Sequence, residues 1–336
     1  MSYRSIYICM QGKLILKEGE KIMSRNINTE EIRFPVELRP VYTIYTKGKK
    51  YSRLSNYSAV TGIIEKEERV FSVVSRDYKL ILNEEAIAMG KSIFKRMFPR
   101  SGNEDFEIFN IKYPSSRSFC HIDLINSNYT LNIWDKEVYI PFIRITNSYN
   151  KSRKLRFELG FCRQVCDNGV IFEREFVSLN YFHYGKSIGN IQNLNINDLK
   201  LKGLRSIENR FIKYMKSLEK IKVGERYFIP LTAKIFGLKF KTENVSDRYR
   251  EIIERQKDEF LNIMKRLKQK YTDELGENAY SLFNTATAFA NEPGLVNCVR
   301  YNDYQTKAGQ WVKEIVRIKN EELIQKYLDN CIDFFN

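Results

Sequence analysis

The sequence predicts an α+β protein in which a mostly antiparallel sheet is followed by a helical C-terminal part. Between residues 31 and 190, apolar and polar side chains alternate along several short runs, as they do on strands with one buried face. From about residue 191 the apolar residues recur at helical spacing instead. This order of strands and then helices favours α+β over α/β. We therefore expect a β-rich core domain over 31–190 and a basic helical region over 191–336 packed on it.

A third observation is a predicted β-hairpin at the centre of the chain, RFELGFCRQVCDNGVIFEREF over residues 156–176. Asn168 and Gly169 separate two alternating runs, and this pair favours a two-residue hairpin loop because both residues accept positive φ. The loop pairs Arg163 with Arg174, Val165 with Phe172 and Phe161 with Phe176. One face then carries both arginines and seven apolar side chains: Leu155, Phe157, Leu159, Phe161, Val165, Phe172 and Phe176.

The facing arginines of this hairpin raise a question of charge. Two like charges opposite each other on an apolar face are unfavourable without a neighbouring anion. That anion is either a carboxylate from the helical part of the fold or a phosphate from a ligand, and the sequence leaves both alternatives open. Under the second alternative Arg163 and Arg174 contact nucleic acid.

The core domain contains further predicted elements in order. Alternating runs predict strands at residues 34–45, 70–74, 102–111, 118–125 and 138–146. Pro35 and Pro40 are tolerated if the first strand lies at a sheet edge, and Pro141 is expected to interrupt the pairing of the last. Two short strands are expected on either side of Arg76 and Asp77.

A helix is predicted after these two short strands. Asn83 is a favourable N-cap, and Glu84 and Glu85 in the first turn complement the helix dipole. The apolar stripe of this helix is Ala86, Met89, Ile93 and Met97.

Four amphipathic segments are predicted in the helical region. The first carries an apolar stripe, Ile207, Phe211, Tyr214, Leu218 and Ile221. Ser246 begins a long second helix, whose apolar positions are Tyr249, Ile252, Ile253, Phe260, Ile263, Met264, Leu267 and Tyr271. Residues 278–291 form a third helix, rich in Ala, Ser and Thr, which suits close backbone approach. Residues 311–335 form the last helix.

The charge of the chain points to an anionic partner. The formal net charge is +15, and residues 198–241 contain twelve Lys or Arg and four Asp or Glu. The residues that lie largely off the apolar stripe here are Lys200, Lys202, Arg205, Arg210, Lys213, Lys216 and Lys220. Such an excess favours nucleic acid, most simply DNA, an anionic membrane surface or an acidic protein partner. The alternative is a solvated basic face in the Lys- and Asn-rich composition of an AT-rich genome.

Three ordered stretches resemble a known family. They are VFSVVSRDYKLILNEEA upstream, NSYNKSRKLRF followed by GFCRQVCDNG at the hairpin, and ENAYSLFNTATAFANE downstream. Their order and spacing resemble phage- and plasmid-like proteins grouped as domain of unknown function 932, over roughly residues 70–295. The matching positions are Val74, Ser75, Tyr78, Asn147, Ser148, Arg163, Val165, Cys166, Asn168 and Gly169, with residues 284–287 in the late helix. The late helix departs from the usual tighter Asn-Ala pair. The resemblance implies a bacterial mobile-element origin and no established reaction.

Catalytic and metal-binding patterns are weak throughout the chain. Cys162 and Cys166 with His183 suggest zinc, but cysteines four apart on one strand are separated by about 13 Å, too far to share one ion. Cys120 and His121 are adjacent and would point to opposite faces of a strand. Two sets of acidic residues could serve as nuclease ligands, although neither has a recognisable spacing. They are Asp105 and Glu107 with Lys112, and Asp123 with Asp135 and Glu137. Solvated strand faces explain these carboxylates better, and no phosphate-binding loop is present. We therefore expect neither catalytic residues nor a metal or cofactor.

The N-terminal part gives less information. Residues 1–30 have mixed charge and little periodicity, so we treat them as a peripheral extension, with Met23 as an alternative start. Residues 2–16 lack the uninterrupted apolar run of a signal peptide, and no run approaches the ~20 apolar residues of a membrane span. Six scattered cysteines fit reduced thiols. These features predict a cytoplasmic protein without a membrane partner.

Three functions follow as hypotheses. The first is a non-enzymatic mobile-element protein that binds nucleic acid through its basic surface, including single-stranded DNA in recombination or replication, by analogy with phage annealing proteins. Such a role would bring ring or filament assembly with it, so a homo-oligomer is left open. The second is a protein–protein effector that modulates a host factor such as a defence complex. The third, an uncharacterised nuclease or hydrolase, has the least support.

Overall fold

The computed structural model describes residues 27–45, 50–98, 106–126, 128–134, 137–164, 169–173, 179–181, 198–243, 245–292 and 296–335. These residues form two antiparallel sheets and seven α-helices, and the helices after residue 197 pack on the larger sheet. The predicted α+β class is confirmed.

The smaller sheet has three strands in the order β1-β2-β3. Its strands are β1 (Val36–Tyr45), β2 (Lys50–Ile64) and β3 (Glu67–Ser75). β1 is an edge strand, as its internal Pro40 requires, so the prediction for this segment is confirmed. β2 was not predicted, because Ser, Asn and Thr in its sequence interrupt the apolar alternation. Of the two short strands expected around Arg76, the first is the end of β3, whereas the segment after Asp77 forms an isolated bridge and no strand.

The larger sheet has seven strands. Its main path is β10-β8-β7-β5-β4, with β6 paired to β7 and β9 paired to β8. The strands are β4 (Phe106–Lys112), β5 (Phe119–Asn126), β6 (Leu131–Trp134), β7 (Glu137–Ser148), β8 (Leu155–Arg163), β9 (Gly169–Glu173) and β10 (Leu179–Tyr181). Along one side of β7 the partner changes from β6 to β5 next to Pro141, which accords with the expected interruption there.

The predicted register of the central hairpin is wrong. Cys162 lies opposite Gly169, and Phe161 lies opposite Val170, so the connection is longer than the predicted two-residue loop. Leu159 lies opposite Glu173, so this register does not place Arg163 opposite residue 174. On the other side of β8, Arg163 lies opposite Tyr139 of β7. The predicted apolar face is nevertheless formed by its described members Leu155, Phe157, Leu159, Phe161 and Phe172, which are all buried. Val165, Asn168, Arg174 and Phe176 lie outside the described residues.

Packing of one aromatic ring explains the observed register. A Cβ on Gly160 would lie 2.2 Å from Cζ of Phe142, and a Cβ on Gly169 would lie 3.1 Å from Cε1 of the same ring. Both glycines therefore stand beneath Phe142. Because both faces of β8 are buried, this packing outweighs the turn preference of the Asn-Gly pair.

The helices are α1 (Asn83–Met97), α2 (Asp198–Lys220), α3 (Phe228–Phe236), α4 (Asp247–Leu275), α5 (Ala279–Ala290), α6 (Cys298–Arg317) and α7 (Glu321–Phe335). The apolar stripe of α1 and the Ser246 N-cap of α4 are confirmed. Tyr249, placed on the apolar side of α4, is 63% exposed. Asn83 is the first residue of α1 and not its N-cap, and its buried side chain donates to the carbonyl oxygen of Ile32.

The predicted last helix is divided in two. α6 ends at Arg317, and the Asn320 side chain accepts a hydrogen bond of 2.8 Å from the backbone N–H of Glu322 at the start of α7. An Asn followed by two glutamates is a favourable helix start, so the sequence favours a new helix here. α3 was missed because it is short and apolar on nearly all sides.

The main core lies between the larger sheet and the helices. α5 is buried along its whole length, as its small residues suggested, and it packs against α2, α4 and α6. A second, smaller core lies beneath the three-stranded sheet and contains Val36, Val60, Val74, Tyr78 and Tyr149. Within the described ranges, no helix is long and apolar enough to cross a membrane.

Candidate nucleic-acid interface

Helix α2 is held on the larger sheet by its apolar stripe. Ile207, Phe211 and Leu218 are fully buried, which confirms the predicted stripe. The Phe211 ring stacks on Phe161 of β8, with centroids 4.1 Å apart, and contacts Phe172 of β9 edge-on at 5.0 Å. Because this face is fixed inward, the opposite face of α2 points to solvent.

The outward face of α2 carries a row of lysines. Lys213, Lys216 and Lys220 are exposed and lie three and four residues apart, so they follow one another along the same side of the helix. They span roughly 10 Å at ~1.5 Å per residue. None of the three forms an ion pair with a described residue. We call these three residues the lysine row.

Of the other basic residues predicted for this segment, one is half-buried and three are described by their backbone alone. Arg210 is half-buried on the flank of α2. Lys200, Lys202 and Arg205 lie in the first turns of the helix, where the backbone alone is described. Arg174 lies outside the described residues. The structure thus brings three of the predicted residues together on one exposed face.

Arg163 is buried and paired with carboxylates, which answers the question of its anion. Its guanidinium donates to both carboxylate oxygens of Glu137, with Nε 2.7 Å from Oε2, and to Oε1 of Glu274 at 2.6 Å. Its side chain is 3% exposed. Glu274 belongs to α4, so the predicted carboxylate from the helical part is present. Arg163 is therefore bound by carboxylates rather than available to a phosphate, and it does not belong to the interface.

Next to this ion pair, a cleft of about 670 Å³ opens on the surface. It lies between the end of β6, the start of β7 and helices α2, α4 and α5, and we call it the tryptophan cleft. Its lining residues are Ile133, Trp134, Glu137, Lys216, Glu219, Glu274, Leu275 and Tyr280. Lys216 belongs to both the lysine row and the cleft, so the two features are continuous.

Aromatic side chains form one wall of the tryptophan cleft. The half-buried Trp134 ring packs edge-on against Tyr280, with centroids 5.1 Å apart. The Tyr280 hydroxyl donates to Oε2 of Glu137 at 3.0 Å and is 2.9 Å from the hydroxyl of Tyr139. Burial, and then the neighbouring Glu137 carboxylate, raise the pKa of Tyr280 above its ordinary value, so it stays a neutral donor.

The carboxylates of the cleft differ in their hydrogen bonding. Both oxygens of Glu137 accept from Arg163, and one also accepts from Tyr280. Glu274 is 39% exposed and has one oxygen bonded to Arg163. Glu219 is exposed on α2. Glu137 thus accepts three hydrogen bonds, whereas Glu274 accepts one from Arg163, is held in place and still offers acceptor capacity toward the cleft.

Sequence reasoning missed a buried row of charges across the larger sheet. Arg144 of β7 lies opposite both Asp123 of β5 and Glu158 of β8. Its guanidinium bonds both Asp123 oxygens at 2.7 Å and Oδ1 of Asn302 at 3.1 Å, and Asn302 donates to Glu158 at 3.1 Å. Burial alone would lower the pKa of Arg144, but Asp123 raises it above the ordinary value. This row of charges lies under α6 and forms a buried structural network.

Charged residues within three largely apolar strands were the available signal. Arg144 interrupts VYIPFIRIT, Glu158 interrupts RFELGF, and Asp123 follows CHI in its strand. Asp123 was expected on a solvated face, which is wrong, because it is 2% exposed. Glu137 likewise is paired rather than solvated. Recognising the row from sequence requires the register of three strands at once.

His121 lies beside this row. Its Nδ1 is 2.8 Å from Oγ1 of Thr146, and its ring is buried near Tyr301 of α6. Burial, and then Arg144 and two other arginines, hold the pKa of His121 well below its ordinary value. Cys120 faces the other side of the strand, as expected, and donates to Asn83 at 3.3 Å. Burial raises the pKa of the Cys120 thiol to about 12, which disfavours the thiolate form.

Several of the residues that carry the family resemblance make buried structural contacts. Val74 and Tyr78 belong to the smaller core, with Tyr149. Asn147 donates to the Ile81 carbonyl and to Oδ1 of Asn83, both at 2.9 Å. Ser148 donates to the Arg153 carbonyl at 2.7 Å, Gly169 lies beneath Phe142, and Ser75 ends β3. Val165, Cys166 and Asn168 lie outside the described residues.

The described part of the chain contains no group of three or more His, Cys, Asp or Glu residues that could hold a metal ion. The four described cysteines, Cys120, Cys162, Cys298 and Cys331, are free thiols, while Cys166 and His183 lie outside the described residues. Asp123 and Glu137, which were considered together as nuclease ligands, are bonded to different arginines.

Comparison of the chain with protein-family models, with curated proteins and with solved structures finds no match, so the resemblance described above stays a prediction from the sequence.

Proposed function

We propose that this protein binds nucleic acid without catalysis, through the lysine row of α2. The observation that carries the proposal is the exposure of Lys213, Lys216 and Lys220 on one side of a helix, without an ion pair to any described residue. Lysines in this state release the counterions of a phosphate backbone when they bind it, and this release supplies most of the affinity of sequence-independent binding.

The neighbouring tryptophan cleft favours single strands as the form bound. Proteins that bind single strands combine a basic track for the backbone with aromatic side chains that stack on bases. Lys216 joins the two features here, and Trp134 lies in the cleft beside it. In a duplex the bases are already stacked and paired, so the cleft adds affinity only for an unpaired base.

Binding of labelled single-stranded oligonucleotides at ~50 mM salt tests the proposal. Replacing the whole row, in Lys213→Gln, Lys216→Gln and Lys220→Gln together, is expected to weaken binding roughly 10-fold or more, because three phosphate contacts are lost. A matched control replaces the exposed Lys265, Lys319 and Lys326 with Gln and lowers the net charge by the same three units. Equal losses in both variants, or none in either, would contradict a role for the row.

A second candidate function is binding of a protein partner. The register of β2 and β3 places Tyr57, Ile63, Val70 and Val73 on one face of the smaller sheet, and they are 44–65% exposed. Exposed apolar groups on one face are typical of interaction sites. A host protein that co-purifies in stoichiometric amount and is lost from a Val70→Lys, Val73→Lys variant, with no affinity for DNA, would favour this function over the first.

A further inference from the structure

We propose that the tryptophan cleft binds a single unstacked guanine base of the strand held by the lysine row. This inference rests on the proposed function and names the base that the cleft accepts. The inference rests on the chemistry of the side chains that line the cleft.

The groups that reach into the cleft are of three kinds. Trp134 offers an aromatic ring, Lys216 a cation, and Glu274 and Glu219 offer carboxylates. The space of about 670 Å³ exceeds what one base requires. A base that enters it stacks on the indole, while its phosphate remains near the lysine row.

The carboxylate that reads the base is Glu274. Arg163, itself buried, holds Oε1 of Glu274 at 2.6 Å and thereby fixes the carboxylate at the cleft. Glu137 is less suited, because Arg163 and Tyr280 already donate three hydrogen bonds to it and its side chain is only 14% exposed. Glu274 is half-exposed, and Oε2 together with the second lone pair of Oε1 can still accept.

An acceptor-only carboxylate discriminates among the four bases. Guanine has two adjacent donors, N1–H and the N2 amino group, which match the two oxygens of a carboxylate. Adenine and cytosine place a ring nitrogen acceptor beside their amino group, and thymine has one N–H between two carbonyl oxygens. Each of these three can donate to the carboxylate from one group only, whereas guanine donates from two adjacent groups, so the cleft favours guanine.

Tryptophan fluorescence measures this binding directly in the full-length protein. The chain has two tryptophans, and Trp311 is 2% exposed in the core, so a change on ligand addition reports Trp134. Deoxyguanosine monophosphate is expected to quench the emission, with an affinity roughly 10-fold above that for the adenosine, cytidine and thymidine monophosphates. Deoxyinosine monophosphate, which lacks the N2 amino group, should fall to the level of these three.

Variants assign the effect to the named side chains. Trp134→Phe should abolish the quenching, and the remaining Trp311 emission shows whether the fold is intact. Glu274→Gln should remove the preference for guanine over inosine, whereas the control Glu322→Gln, at an exposed glutamate of α7, should keep it. Should Glu274→Gln lower the thermal stability, Glu219→Gln provides a second cleft variant, expected to weaken the preference less.

The outcomes separate this inference from the proposed function. Equal quenching by all nucleotides would overturn the guanine assignment, and absence of quenching would overturn the binding of a base. In both cases oligonucleotide binding that depends on the lysine row would leave the proposed function standing. If single strands themselves do not bind, the proposed function and the base site fall together.

Discussion

At the scale of single residues, the two buried arginines of the larger sheet have structural roles. Arg163 joins β8 to the start of β7 and to α4 through Glu137 and Glu274. Arg144 joins β5, β7 and α6 through Asp123 and Asn302. Breaking such a buried pair costs more than the pair contributes, because the remaining charge stays buried without a partner.

Arg144→Met should therefore lower the free energy of unfolding by about 3–5 kcal/mol, since it leaves the Asp123 carboxylate buried without its cationic partner. Urea unfolding measures the change. Arg255→Met, on the exposed part of α4, is the matched control and should stay within about 0.5 kcal/mol of the parent. A loss of similar size in both variants would show that the buried row is not responsible.

His121 predicts a dependence of stability on pH. Its pKa in the folded protein is well below the ordinary value, so below pH ~6.5 the unfolded chain binds a proton that the folded chain does not. Stability should fall as the pH is lowered from about 6.5, with a contribution of up to ~1.4 kcal/mol per pH unit from this residue. His121→Gln should flatten the profile of melting temperature against pH. An unchanged profile would contradict burial of a neutral His121.

At the scale of elements, the stability of the fold depends on how closely α6 approaches the edge of the larger sheet. Gly309 of α6 lies against β9, where a Cβ would be 2.3 Å from the carbonyl oxygen of Ile171. The helix thereby covers an edge strand and completes the core with Trp311, Val312 and Ile315. Glycine is required here for the approach of two backbones.

Gly309→Ala is expected to destabilise the protein by about 1–3 kcal/mol, because the methyl group must push α6 away from β9. Thermal unfolding of the variant measures this. Gly224→Ala is the control, since a Cβ there would meet only Glu277 Oε2 at an ordinary 3.7 Å and φ is −65°. Equal stability of the two variants would contradict the close packing of α6.

At the scale of the whole molecule, the sequence predicted the class and order of elements but not the contacts between distant ones. Alternation located β1, β3, β5 and β7, and helical spacing located α2, α4 and α5, because these patterns are local in the chain and do not depend on which distant element buries each face. The hairpin register was wrong because the position of Phe142, a residue of another strand, determines where Gly160 and Gly169 lie.

The candidate site was predictable in part for the same reason. The lysine row follows from one helix and its buried stripe, so the sequence identified Lys213, Lys216 and Lys220 correctly as outward residues. The tryptophan cleft was not predictable in this way, because its lining residues come from two strands and three helices. Two of them, Trp134 and Tyr280, are far apart in the chain. Arg163 was assigned to phosphate as one of two alternatives because Glu137 and Glu274 become its neighbours only in the folded protein.

The salt dependence of single-strand binding tests the central claim most directly. The logarithm of the observed binding constant falls linearly with the logarithm of salt concentration, with a slope of about −0.7 per phosphate contacted. If Lys213, Lys216 and Lys220 contact phosphates, the variant with all three replaced by Gln should have a slope shallower by about 2 units, while the Lys265, Lys319 and Lys326 variant keeps the parental slope. Identical slopes for all three proteins would contradict the account.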